Sequence, residues 1–123
     1  MGLPRIHRLK SWREFRDIYA HGIRRHSQHL VLKALSTPTS DISTQPKPTL
    51  IGISISKKVS KKAVERNRIK RSIRAVLITL LPEISDGWKI VIIVKSQATE
   101  CKYEHFLREL KELLKETKII NGY

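Results

Sequence analysis

The residues best suited to chemistry are cations, and they crowd into one stretch of the chain, residues 57–74. Nine of its 18 residues are Lys or Arg, and only Glu65 is acidic. Such a density of positive side chains suits the binding of a polyanion, because ammonium and guanidinium groups neutralise phosphates. Asn67 differs in type: its amide can both donate and accept a hydrogen bond, and so could reach a base edge or a ribose 2′-hydroxyl.

Hydrophobic periodicity predicts a helix that runs from about Val64 and ends before Pro82, with three of these cations and Asn67 on one side. Apolar residues at helical spacing define the face that would pack on a core: Ile69, Ile73, Val76, Leu77 and Leu80. The opposite face carries Asn67, Lys70, Arg71 and Arg74. The alternative is an ordinary solvated face, but such a face usually alternates the signs of its charges, and this one does not. The pattern therefore favours a surface that binds a polyanion.

The overall charge agrees with that interpretation. The chain has 123 residues, which suits a single domain, and a formal net charge of +14. Residues 1–82 hold 18 Lys or Arg and four acids, whereas residues 83–123 hold seven of each. The whole excess therefore lies on the N-terminal two-thirds of the chain. With no apolar run of membrane-spanning length and no signal-peptide pattern, we expect a cytoplasmic protein.

Groups for catalysis are scarce in the basic region. A metal-dependent nuclease needs clustered carboxylates, but residues 1–82 contain only Glu14, Asp17, Asp41 and Glu65. The histidines lack metal-ligand spacing, and Cys101, the only cysteine, is expected to be a core or helix-start residue in a reducing compartment. The sequence therefore predicts no catalytic residue and no metal site. A nuclease that acts without a partner is a further alternative, and the shortage of carboxylates argues against it.

The first predicted helix carries aromatic residues. It follows a basic arm of residues 1–10, starts at a capping box made by Ser11 and Glu14, and stops at Gly22. Four residues share one face at helical spacing: Trp12, Phe15, Ile18 and Tyr19. Trp12 and Ile18 are expected in the core. Phe15 and Tyr19 could pack there too, or border a groove, where aromatic rings stack single-stranded bases at about 1–3 kcal/mol each.

The remaining elements predict a small two-layer α/β (α+β) sandwich with about four strands in a mixed sheet and three helices. Residues 29–35 and 50–56 read as strands that pair antiparallel across a flexible loop, residues 36–48, with a possible further short strand within residues 22–29. The small residues of the second strand could carry nucleic acid close to its backbone: Gly52, Ser54 and Ser56. Residues 88–94 read as a strand buried on both faces. The last helix carries one apolar stripe: Phe106, Leu107, Leu110, Leu113 and Leu114.

Two segments resemble the signature of the bacterial ribonuclease P protein component. They are Gly52-Ile53-Ser54-Ile55-Ser56-Lys57-Lys58 and the helix start Ala63-Val64-Glu65-Arg66-Asn67-Arg68-Ile69-Lys70-Arg71. The N-terminal Arg8-Leu9-Lys10, Glu14-Phe15, Tyr19 and Gly22 are similar to the family's opening. The departures are Leu50-Ile51, Ser60 and Ala75, and none falls in the Arg66-Asn67-Arg68 run.

The resemblance implies a sandwich fold with a left-handed crossover and a role as protein subunit of ribonuclease P, whose catalytic RNA removes the 5′ leader of precursor tRNA. It implies that the RNA subunit holds the magnesium ions and that the protein, monomeric when alone, is inactive without the RNA. By position, the RNA-binding residues are Lys61, Lys62, Arg66, Asn67, Arg68, Lys70, Arg71 and Arg74. Those for the precursor leader are Phe15, Tyr19, Lys57 and Lys58. Charge and size alone leave a structural RNA-binding protein of the ribosomal type as an alternative.

Overall fold

The structure is a computed structural model that describes Leu9, residues 12–36 and residues 49–120. The rest of the arm, Ser11 of the expected capping box and loop residues 37–48 lie outside the described residues. The described part confirms the predicted class, with three α-helices and a four-stranded mixed sheet. Its elements are α1 (Trp12–His21), β1 (Ile23–His26), β2 (Leu30–Ser36), β3 (Leu50–Ser54), α2 (Ala63–Leu80), β4 (Trp88–Val94) and α3 (Tyr103–Glu116). That the whole chain forms one domain stays a prediction.

The order of strands in the sheet corrects one expectation. The order is β1-β2-β4-β3, in which β2 pairs antiparallel with both β1 and β4, and β3 pairs in parallel with β4. The predicted antiparallel pairing of β2 with β3 is therefore wrong. Both edges of β2 are already occupied, and the connection between β2 and β3 is too long to force a hairpin between neighbours in sequence. The β3–α2–β4 unit is the crossover whose left-handed sense stays a prediction.

Two apolar clusters fill the two faces of the sheet. Ile90 and Ile92 of β4 belong to the larger cluster, which also contains the buried faces of α2 and α3. Val91 belongs to a smaller cluster with Leu9 and Ile18, against which Phe15 and Ile93 pack. Because alternate residues of a strand point to opposite faces, α1 lies on the face opposite α2 and α3. β4 is thus buried on both sides, as predicted.

Gly22 follows the last residue of α1, at a point where the backbone has no room for a side chain. Its N–H donates to the carbonyl oxygen of Ile18 at 2.9 Å. A Cβ at this position would lie 2.6 Å from that oxygen and 2.9 Å from the carbonyl oxygen of Ala34 on β2. The helix therefore stops where the sequence predicts, and the chain turns directly into β1, which sets α1 against the sheet.

Candidate nucleic-acid interface

The two faces of α2 are divided as the periodicity predicts. Its buried residues are Ile69, Ile73, Val76, Leu77 and Leu80. Asn67, Arg71 and Arg74 line one open, shallow concavity beside the exposed Val64, with Lys70 half-buried next to them. Within the described residues no acid lies within ion-pairing distance of Lys70, Arg71 or Arg74. These cations therefore share one side of the helix and are free to meet an external anion.

Arg66 and Arg68 differ from the other cations because their guanidinium groups also bind the chain itself. Nη1 of Arg66 donates to the carbonyl oxygen of Ser60 at 2.8 Å. Nη2 of Arg68 donates to the carbonyl oxygen of Thr99 at 2.6 Å, and its Nη1 to that of Cys101 at 3.3 Å. Each guanidinium has five N–H donors, so both arginines keep donors for a second partner. Sequence reasoning missed these bonds because nothing in the pattern marks backbone acceptors, which lie 6 residues from Arg66 and 31 and 33 residues from Arg68.

Four lysines surround the N-terminus of α2: Lys57, Lys58, Lys61 and Lys62, all exposed. The loop that carries them is fixed by Val59, which is buried, and by Ser60, whose Oγ accepts from the N–H of Lys62 and donates to Oε2 of Glu65 at 2.6 Å. The only acid of residues 57–74 thus holds the loop in place. The N-terminus of a helix adds roughly half a positive charge to the field of these lysines.

Phe15, one of the residues that the resemblance assigns to the precursor leader, makes a contact between α1 and the sheet. Phe15 packs over Gly52 of β3 so closely that a Cβ on Gly52 would lie 2.7 Å from Cζ of the ring. Phe15 is therefore a packing residue, and its half-buried side chain keeps some exposed surface. Gly52 is buried beneath it, so of the three small residues expected to lie near nucleic acid only Ser54, the last residue of β3, and Ser56, just beyond it, retain exposed surface. Tyr19 is 43% exposed, with Nζ of Lys33 4.4 Å from the centre of its ring.

Trp12 is not a core residue, contrary to the expectation from sequence. Its side chain is 71% exposed, and the guanidinium carbon of Arg16 lies 4.9 Å from the centre of its ring. Ile18, the other residue expected in the core, is fully buried. The reason is angular: at about 100° per residue, Trp12 lies about 120° around the helix from Ile18, beyond the arc that a sheet can cover.

Comparison with known proteins places this chain in a family. A family model described as Ribonuclease P matches residues 3–118. The Ribonuclease P protein component of Microcystis aeruginosa is 56% identical over 123 residues, all of both chains. The chain belongs to the Ribonuclease P family. The Ribonuclease P protein component of Rippkaea orientalis is 54% identical over all of this chain and 95% of its own length.

Solved structures agree with that assignment. RNase P protein from Staphylococcus aureus is similar with a TM-score of 0.78 and 27% identity, over 94% of this chain and 98% of that one. RNase P protein from Thermotoga maritima shares the fold, with a TM-score of 0.74 and 24% identity over 94% of this chain and 98% of that one. Membership makes this chain the protein subunit of ribonuclease P, an endoribonuclease of tRNA processing, which confirms the family and the subunit role that the resemblance implied.

This ribonuclease P protein also contains a polar cluster that the sequence did not reveal. Glu109 of α3 is 3% exposed, and its carboxylate accepts hydrogen bonds from the N–H of His29 at 2.8 Å, from Nδ1 of His29 at 2.7 Å and from the hydroxyl of Ser27. Nζ of Lys95 donates to the carbonyl oxygen of Ser27 at 2.6 Å. The cluster fastens the turn before β2 to α3, so it holds the sheet against the last helix.

Ionisation in this cluster follows from its contacts. Burial alone would raise the pKa of the Glu109 carboxyl, but hydrogen bonds from Ser27 and His29 outweigh burial and lower that pKa. Burial, aided by the charge of Glu109, raises the pKa of the Cys101 thiol, so this cysteine is a neutral core residue, as expected. Ligand atoms of His29, Cys101 and Glu109 lie within 4.8 Å of one another and could hold a metal ion, although the carboxylate already accepts three hydrogen bonds.

The described residues also bear on the expectations about membrane spans and metal ligands. None of the described helices is long and apolar enough to span a membrane. Glu14, one of the few acids of the basic region, has Oε2 at 3.6 Å from Nζ of Lys89. Outside the His29 cluster, the described acids and histidines form no group of three with the spacing of metal ligands. The described residues thus bring together cationic groups suited to binding a polyanion.

Proposed function

We propose that this ribonuclease P protein binds the catalytic RNA through α2 and the loop before it, and holds the 5′ leader of precursor tRNA in a cleft between α1 and the sheet. The observation that carries the proposal is the row of Asn67, Arg71 and Arg74 on one open face of α2 with no acid of the described chain beside the cations. A solvated helix face has no reason to concentrate unpaired like charges, which repel each other by a few tenths of a kcal/mol per helical pair. Bound phosphates remove that repulsion.

Counterion release supplies most of the affinity in this proposal. Each phosphate that a cation neutralises contributes about 0.7–0.9 to the slope of log affinity against log salt concentration. The RNA-binding set contains seven cations: Lys61, Lys62, Arg66, Arg68, Lys70, Arg71 and Arg74. Arg66 and Arg68 would contact RNA with the donors that their internal hydrogen bonds leave free. Asn67 supplies the neutral donor and acceptor pair among them, suited to a base edge or a 2′-hydroxyl.

The leader is recognised as a single strand. Tyr19 offers an exposed ring and Phe15 a half-buried one, and aromatic rings stack bases of any sequence. Lys57 and Lys58, exposed at the end of β3, would neutralise the phosphates of that strand. Tolerance of sequence suits a leader, because the leaders of different precursor tRNAs differ in sequence while all are single-stranded. The protein then raises affinity for the precursor over the mature tRNA.

We assign the hydrolysis and the magnesium ions to the RNA subunit. Magnesium prefers several oxygen ligands in octahedral geometry, and the ligand group that the described residues bring together contains the thiol of Cys101, which does not suit magnesium. Near α2, Glu65 is engaged by Ser60. In this proposal the protein is monomeric when alone and acts in the cytoplasm, where precursor tRNA is made.

Reconstitution tests the proposal. The chain is added to a bacterial ribonuclease P RNA at low magnesium concentration, and cleavage of a precursor tRNA is compared with and without protein. We expect the protein to increase kcat/KM, and to do so less as magnesium rises, because added magnesium screens the same phosphates. If cleavage is unchanged at every magnesium concentration while the protein still binds ribosomal RNA, the proposal is refuted in favour of a structural RNA-binding role.

A further inference from the structure

Trp12 is an exposed tryptophan that neither the core nor the proposed leader site explains. Its ring is 71% exposed at the first residue of α1. Arg16, one helical turn later, places its guanidinium 4.9 Å from the ring centre. A cation over one face fixes the orientation of the indole and leaves the other face open to solvent. Exposing such a large apolar ring to water costs free energy, and a bound ligand that covered the ring would recover it.

The position of Trp12 on α1 connects it to the cleft. Measured around the helix axis from the buried Ile18, at about 100° per residue, Phe15 lies at about 60°, Tyr19 at about 100° and Trp12 at about 120°. The exposure of these side chains rises in the same order, from half-buried to 43% to 71%. Trp12 and Tyr19 are therefore aligned along one flank of α1, separated by about 10 Å of helix rise. That distance corresponds to about three nucleotides of a stacked strand.

We propose that Trp12 and Arg16 form a further stacking site for one base of single-stranded RNA, in line with Tyr19 and about three nucleotides away from it. The pairing of ring and cation is repeated at Tyr19, whose ring has Nζ of Lys33 at 4.4 Å. Each unit offers a flat apolar face for a base and a positive charge for the adjoining phosphate. That the bound strand is the leader of precursor tRNA rests on the proposed function; that the site binds single-stranded RNA does not.

Single-stranded RNA fits this flank better than the other polymers that could meet it. Duplex RNA keeps its bases stacked on each other and offers no free base to an indole. A protein partner would need a contiguous apolar patch of a few hundred Å², whereas the flank alternates rings with the cations Arg16 and Lys33. Isolated rings separated by positive charges are the arrangement that binds a strand of bases and phosphates.

Fluorescence tests the site without the catalytic RNA. The chain has two tryptophans, Trp12 and Trp88, and Trp88 is half-buried against the main core. In the Trp88→Phe variant the only indole is that of Trp12, and we expect an oligouridylate to quench its emission. A duplex RNA with the same number of phosphates should leave the emission nearly unchanged. The Trp12→Phe variant, which keeps only Trp88, is the matched control and should respond to neither RNA.

Affinity measurements then separate stacking from charge. Trp12→Ala should weaken oligouridylate binding about tenfold, equivalent to about 1.4 kcal/mol, as expected for the loss of one stacked base; Trp12→Phe should recover part of the loss. Tyr103→Ala removes an exposed ring from α3, on the face of the sheet opposite α1, together with the contact of its hydroxyl with Thr79 of α2, and should leave the affinity for oligouridylate unchanged. Quenching by duplex and single strand alike, or equal affinities for Trp12→Ala and Tyr103→Ala, would overturn the proposal.

A series of precursor tRNAs with leaders of increasing length places the site in the holoenzyme. The leader length at which Trp12→Ala begins to weaken binding should differ by about three nucleotides from the length at which Tyr19→Ala does. Identical thresholds would contradict a separate site. Failure of the proposed function looks different: oligouridylate still quenches Trp12, but the protein does not increase cleavage by the catalytic RNA.

Discussion

Arg68 is the residue whose replacement most sharply separates an internal role from RNA binding. Its guanidinium donates to the carbonyl oxygens of Thr99 and Cys101, at 2.6 Å and 3.3 Å, and so ties α2 to the segment before α3. A hydrogen bond from a charged donor contributes about 1.5–3 kcal/mol. The second bond is long and adds little, so we expect Arg68→Ala to lower the free energy of unfolding by about 2 kcal/mol.

Thermal and urea unfolding measure that loss. For a domain of this size, 1 kcal/mol corresponds to about 4 °C in Tm, so the variant should melt about 8 °C below the wild type. The matched control is Arg71→Ala, which removes the same charge from an exposed position with no ion pair in the described structure. A surface change of this kind is usually worth less than about 0.5 kcal/mol. Equal stability of the two variants would refute the internal role of Arg68.

Binding of the catalytic RNA is then compared at a temperature where both variants are folded. Arg71→Ala should weaken binding by about 1–3 kcal/mol, with a salt slope smaller by about 0.7–0.9. Arg68→Ala should show a similar loss only if its remaining donors reach the RNA. If Arg68→Ala binds like the wild type, its assignment as an RNA-binding residue is wrong, although the internal role would stand. If Arg71→Ala binds like the wild type, the cationic face of α2 does not meet the RNA.

Three further predictions concern the cleft and the polar cluster. Phe15→Ala should weaken binding of leader-bearing precursor more than binding of mature tRNA, measured by titration of each; equal losses would leave Phe15 a packing residue only. Gly52→Ala forces a Cβ to within 2.7 Å of the Phe15 ring and should cost about 1–3 kcal/mol of stability; adding Phe15→Ala should recover part of it, and strictly additive losses in urea unfolding would contradict that contact. The pKa of Glu109 is lower in the folded protein than in the unfolded chain. Ionisation of this carboxyl therefore stabilises the fold at any pH above the ordinary carboxyl pKa, and the contribution is lost as the pH falls through the pKa of the folded state. Glu109→Gln should therefore flatten the acidic limb of the stability–pH profile, and an unchanged limb would show that another group sets it.

Local periodicity correctly predicted the features that depend on only a few neighbouring residues of the sequence. The two faces of α2, the strand Trp88–Val94 buried on both sides and the stop of α1 at Gly22 all follow from patterns a few residues long. Pairing between strands does not, because it depends on which sheet edges remain open. The parallel contact of β3 with β4 therefore required the structure.

Side-chain roles were harder to predict than elements. Trp12 was expected in the core because its spacing matches the apolar face, but it lies too far around the helix from Ile18 to be covered. The bonds between His29 and Glu109 join residues that are 80 positions apart, and no pattern in the sequence connects them. Sequence patterns record the type of a side chain and its angle on an element, whereas partners are decided by how the elements pack.

Helix α2 tolerates its positive charge because some of its cations bind groups of the chain itself while others face solvent. Arg66 and Arg68 place positive charge against backbone carbonyl oxygens, and Glu65 holds Ser60, so part of the stretch is compensated within the chain. Arg71 and Arg74 receive no such compensation within the described residues. Repulsion among the uncompensated cations lowers stability in the free protein and disappears when phosphates bind. The same residues that weaken the free fold are therefore the ones through which RNA should stabilise it.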